Sequence, residues 1–138
     1  MLNLEYTIEG GNFSDAGKAS SDIKKTLKQL SIDYALIKRT VVAVYEAEVN
    51  VVAHARQGTL SVEINTRQIK IVVDDHGPGI EDIDKAMQAG YSTANARVRE
   101  MGFGAGMGLP NIKKNTDELN ISSQPGQGTR LEMIINLS

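Results

Sequence analysis

The chain contains no cysteine and no tryptophan. The first absence excludes disulfides, thiolate catalysis and cysteine-ligated metals, and it fits a reducing compartment. With only two Phe and four Tyr, platforms for stacking nucleic-acid bases are not expected. The formal net charge is −2, so neither nucleic acid nor an acidic membrane surface is indicated as a partner. No apolar run is long enough to span a bilayer. The opening stretch MLNLEYTIEG lacks the basic start and continuous apolar segment of a secretory signal. A cytosolic protein with no membrane and no nucleic-acid partner is the expectation.

The chain does have enough apolar material for a core. Its 138 residues are 41% hydrophobic, and a domain of this size buries about 68–70% of its unfolded-chain surface. A single domain over residues 1–138 is expected. Leu2, Leu4, Tyr6 and Ile8 alternate with polar residues as in a half-buried strand. Gly10-Gly11-Asn12 interrupts that pattern. Ala16, Ala19, Ile23, Leu27 and Leu30 then follow helical spacing, with Ser14 or Asp15 as a possible N-cap. Asp33 can cap a second helix running to about Arg56. This helix is rich in valine, a modest helix former, so its stability must come from packing at the centre of the fold.

Two strands are expected next, on Leu60/Val62/Ile64 and Ile69/Ile71/Val73. A short helix from about Asp82 to Gln88 follows, then an irregular stretch over residues 89–108. Irregular segments of that length are usually functional or disordered. Pro110 fits the first turn of a helix ending near Asp117, and a final hairpin surrounds Gln124–Gly128. The element order predicts an α+β two-layer sandwich, with helices on one face of a mainly antiparallel, mixed sheet.

Three groups of residues carry chemistry. Glu46, Asn50 and His54 recur every fourth residue and share one helix face, flanked by Val42, Ala43, Val49 and Ala53. A carboxylate and a carboxamide among apolar neighbours need a reason, and a hard cation is one. Asn50 can offer a carbonyl oxygen to Mg²⁺, and Glu46 can take a proton from an attacking hydroxyl or water. The plainer alternative is an internally satisfied polar pair. His54 alone is more often structural.

The second group is Asp75-His76-Gly77-Pro78-Gly79-Ile80. An acid at a strand end followed by Gly-x-Gly lets a flat ligand approach the backbone. Ionised Asp75 only accepts hydrogen bonds, which suits an exocyclic amine such as that of adenine. The plainer alternative is a turn in which Asp is a local cap. Strand alternation turns Asp74 the other way, and His76 has no assigned role.

The third is Gly102-Phe103-Gly104-Ala105-Gly106-Met107-Gly108-Leu109-Pro110. Successive glycines before a helix leave backbone N–H groups available to an anion. The run fits neither Gly-x-x-x-x-Gly-Lys-Ser/Thr nor Gly-x-Gly-x-x-Gly.

In this order and spacing the three groups resemble the GHKL (Bergerat-fold) ATPase superfamily of gyrase, histidine kinases and MutL. Glu46-x-x-x-Asn50 is similar to its N box, Asp75-x-Gly77-x-Gly79-Ile80 to its G1 box, Gly104-x-Gly106-x-Gly108-Leu109 to its G2 box, and Gly128-Thr129 to a short late-strand motif. The resemblance spans essentially the whole chain. It implies a Bergerat-type fold that binds ATP and Mg²⁺. In that fold Asn50 holds Mg²⁺, Asp75 holds the adenine amino group, and Thr129 supports Asp75 or a bridging water. Gly77, Gly79, Ile80, Gly104, Ala105, Gly106, Met107, Gly108 and Leu109 line the nucleotide, and residues 89–108 form the ATP lid.

The chain length is expected to leave no room for a transducer, sensor or dimerisation segment. The chain therefore resembles the small bacterial anti-sigma factor and switch-protein serine kinases. Where the anti-sigma kinases carry a lid Arg, this chain has Gly104, and its Gly-Ala-Gly-x-Gly-Leu-Pro run is nearer to the stressosome-type switch kinases. Arg97 or Arg99 is left as the lid cation. The implied activity is ATP-dependent phosphorylation of a serine or threonine on a small regulatory partner. The resemblance implies that the partner is a STAS-domain antagonist or a sigma factor, and that the chain forms a homodimer. Two alternatives stay open: a non-enzymatic ATP-gated sequestering module, and a detached histidine-kinase-like ATPase domain.

Overall fold

The computed structural model describes residues 1–79, 83, 87 and 108–137. Strand β1 (Leu2–Glu9) leads through a 3-10 turn at Phe13–Asp15 into helices α1 (Lys18–Gln29) and α2 (Tyr34–His54). Strands β2 (Gln57–Ile64) and β3 (Gln68–Asp75) follow, then helix α3 (Gly108–Lys114) and strands β4 (Glu118–Gln124) and β5 (Gly128–Asn136). The sheet order is β1-β2-β3-β5-β4. All four pairings are antiparallel, so the mixed character expected of the sheet is not found among the described residues.

Alternation puts Leu4, Tyr6 and Ile8 in register with Val62, Leu60 and Gly58, so these strands bury a common face. Leu60, Val62, Ile71, Val73, Leu131 and Met133 cover that face and meet Ile23, Leu27, Val44, Val51 and Ile112 from the helices. Fully burying an aliphatic side chain contributes about 1.5–3 kcal/mol. That explains how a helix as valine-rich as α2 persists: Val44, Val49, Val51 and Val52 are all buried, and α2 packs between α1 and α3. Asp33 caps α2 as expected, accepting from Ala35 N at 3.2 Å.

The start of α1 differs from expectation. Neither Ser14 nor Asp15 caps it: the N-cap position is Gly17, in the left-handed region at φ 100°. Glu48 of α2 supplies the cap instead. Its Oε2 accepts from Gly17 N at 3.0 Å and Ala19 N at 3.1 Å, and its Oε1 accepts from Ser20 N at 3.2 Å. A local pattern search cannot find an acceptor from another helix. Of the short helix expected over 82–88, the described part is one helical hydrogen bond, Met87 N to Ile83 O at 3.0 Å.

Candidate functional site

Helix α2 carries Glu46, Asn50 and His54, each half-buried, along one face, with Glu46 and Asn50 next to α3. Helix α3 is docked by Leu109 and Ile112, both in the core. That docking brings its first residue, Gly108, onto the polar edge of α2. A β-carbon at Gly108 would lie 3.6 Å from Asn50 Oδ1 and 3.7 Å from Glu46 Oε2. The last glycine of the glycine-rich run is thus against both N-box side chains. Burial pushes the Glu46 carboxyl above its usual range, opposed by a hydrogen bond from Asn111 Nδ2 to Oε1 at 3.4 Å. Burial lowers the His54 imidazole, and the nearby charge of Asp75 opposes this.

Asp75 ends β3 on the buried face of the sheet, in register with Gly58. Its Oδ1 accepts from Gly77 N and from Thr129 N, each at 3.1 Å. Burial makes its carboxyl a weaker acid than usual, and these two N–H groups oppose that shift. Thr129 supports Asp75 through its backbone, while its hydroxyl pairs with Ser123 Oγ at 2.9 Å. Asp74 turns to the opposite face, as alternation predicts, and pairs with Arg130 at 3.0 Å.

The β4–β5 hairpin clamps this turn. Gly126 N donates to Pro78 O at 2.7 Å. A β-carbon at Gly79 (φ +77°) would come within 2.3 Å of Gln124 O, and one at Gly128 (φ +133°) within 2.0 Å of Asp75 O. Both positions combine a left-handed backbone with a close backbone approach, and only glycine meets both demands. Gly77 has a milder constraint, its nearest neighbour being the Ala55 β-carbon at 3.1 Å from such an added atom.

Ile80, Gly104, Ala105, Gly106 and Met107, together with Arg97, Arg99 and the lid up to residue 107, lie outside the described residues. Leu109 is 6% exposed and belongs to the core. Two residues that pattern reading missed are Asn111 and Ser123. Each is an ordinary polar residue that gains its place only through tertiary contact.

The donor set fits a magnesium nucleotide. Among the described residues no hydrogen bond reaches Asp75 Oδ2, which leaves an acceptor for an amine beside an oxygen already held by two donors. Asn50 Oδ1 faces the glycine side. No cluster of three or more His, Cys, Asp or Glu side chains exists among the described residues. Asn50 offers one oxygen ligand on the glycine side, the kind Mg²⁺ takes alongside phosphates and water.

The sequence profile of the histidine kinase-like ATPase domain matches residues 14–135. The chain belongs to this family. Among individual relatives of this ATPase domain, it is 32% identical over 123 residues to the serine/threonine-protein kinase RsbT of Bacillus subtilis, covering 86% of this chain and 84% of RsbT. It is 33% identical over 138 residues to an anti-sigma F factor of Thermoanaerobacter, covering 96% and 91%. Among solved structures, the RsbU and RsbW domains of a Mycobacterium tuberculosis protein superpose with a TM-score of 0.66 at 16% identity. That match covers 99% of this chain and 33% of the longer one, and it bears on the fold. The Bergerat-type fold class read from the motifs agrees with these relatives.

Proposed function

We propose that this protein is an ATP-dependent serine/threonine kinase of the anti-sigma and switch-kinase type, which phosphorylates a small regulatory protein. The observation that carries the reading is the convergence at Gly108: a carboxylate and a carboxamide oxygen both face the end of the glycine-rich run. Its membership of the ATPase family and its likeness to RsbT supply the nucleotide and the reaction class.

In this reading Asp75 Oδ2 accepts from the adenine amine, and Gly77 and Gly79 let the ring approach the backbone. Asn50 is the protein ligand of Mg²⁺, which when bound neutralises phosphate charge. Glu46 Oε2 receives the proton of the incoming hydroxyl, and its raised proton affinity favours that role. The glycine-rich run that ends at Gly108, together with the start of α3, is the phosphate-binding part of the site. The phosphoacceptor is a serine or threonine of a STAS-domain antagonist. Transfer of label from γ-labelled ATP to STAS-domain proteins of the same genome tests this. Wild type is expected to transfer and Glu46→Ala to bind nucleotide without transferring. Undiminished transfer in Glu46→Ala removes Glu46 from the base role, and an acid-labile, base-stable product assigns the acceptor to histidine instead.

A second reading is ATP-gated sequestration of a sigma factor, favoured by the likeness to anti-sigma F factors. In that case Glu46→Ala still captures the partner while Asp75→Asn does not. A homodimer belongs to either reading, and sedimentation equilibrium measures it directly.

A further inference from the structure

We propose that Asn111 is the positioning residue for Glu46, holding one carboxylate oxygen so that the other stays turned toward the phosphates. The inference deepens the kinase reading and rests on Glu46 being its base. Asn111 lies on α3, three residues beyond Gly108, and is half-buried. Its side chain reaches across to α2, where Nδ2 donates to Glu46 Oε1 at 3.4 Å. A carboxylate can only accept, so the amide group facing it must be the NH₂. The other oxygen, Oε2, has no hydrogen-bond partner among the described residues and faces Gly108. One oxygen is therefore held and the other is left for chemistry.

The bond also joins two elements that carry different parts of the site. Glu46 belongs to α2, whose position is set by the core, whereas Asn111 belongs to the helix that continues the glycine-rich run. The base is oriented only when α3 is seated on α2 through Leu109 and Ile112. A bond of 3.4 Å is long, and such bonds tighten when a site is loaded.

Asn111→Ala is expected to lower kcat on the order of tenfold, the size of one hydrogen bond to a charged group, with KM for ATP and the affinity for ADP little changed. Asn111→Asp has the same shape but sets an acceptor against an acceptor, and its kcat falls further than that of Asn111→Ala. In a Glu46→Gln background, Asn111→Ala lowers residual transfer no further. A second readout needs no nucleotide. In ¹⁵N-labelled free protein, the side-chain amide pair assigned to Asn111 by its loss in Asn111→Ala is expected to shift in Glu46→Ala. Equal losses of ADP affinity and kcat in Asn111→Ala overturn the assignment, as does an Asn111 amide resonance that ignores Glu46→Ala. If transfer survives in Glu46→Ala, the base reading itself fails, which that single variant reveals independently of Asn111.

Discussion

Two carboxylates within one turn of α2, on different faces, are put to different uses by what faces them. Glu48 is 2% exposed and gives both oxygens to the start of α1. Removing it leaves three N–H groups, two of them bonded inside the protein, without their acceptor. Glu48→Ala should therefore cost about 3 kcal/mol of stability, read from urea unfolding. Glu46, two residues earlier, is held by a single long bond and keeps an oxygen toward the glycine run. Burial raises its proton affinity. A base works only when deprotonated, so the acid limb of the kcat–pH profile should lie above the usual glutamate range of about 4.3 and disappear in Glu46→Gln along with most of the activity.

At the scale of elements, the hairpin of β4 and β5 has a role that its own sequence does not announce. It ends one sheet edge and also locks the Asp75–Gly79 turn, through Gly126 N on Pro78 O and through the close approaches at Gly79 and Gly128. Gly128→Ala drives a β-carbon into the Asp75 backbone and should displace the Thr129 N–H from the carboxylate. The expected result is a stability loss of about 2 kcal/mol or more together with weaker ADP binding, measured by thermal melts with and without ADP. A second tie joins α2 to the start of β4. Asp117 accepts from Asn136 N at 2.7 Å and from Arg39 at 3.1 Å. The Asn136 N–H, then Arg39, hold its carboxyl below the usual range. A depressed folded value means stability present above the unfolded value and lost as pH falls through the folded one. Wild type should thus lose stability relative to Asp117→Asn on acidification to about pH 3, in parallel denaturant titrations.

Across the whole molecule, most of the scaffold was legible because its signals are local and periodic. The alternation in β1, β2, β3 and β5 and the Asp33 cap of α2 needed no partner to be read. The Glu46/Asn50 face, Asp75 and the glycines were legible as a set, since each is a short pattern. What was hidden depends on contacts between distant segments: Glu48 capping another helix, Asn111 reaching Glu46, and Leu109 packing into the core. No periodicity marks a residue whose partner is many positions away in the chain. The same folding that hides those residues brings Glu46 and Asn50 against the end of the glycine run. The sheet carries Asp75, α2 carries Glu46 and Asn50, and α3 seats the last glycine between the two N-box side chains. In the proposed function this assembly binds ATP, with Asp75 reading the adenine amine. Calorimetric titration of Mg-ATP into wild type and Asp75→Asn tests it most directly. Wild type is expected to bind saturably and Asp75→Asn at least about tenfold more weakly, at unchanged fold by circular dichroism. Equal affinity in the two proteins would contradict it.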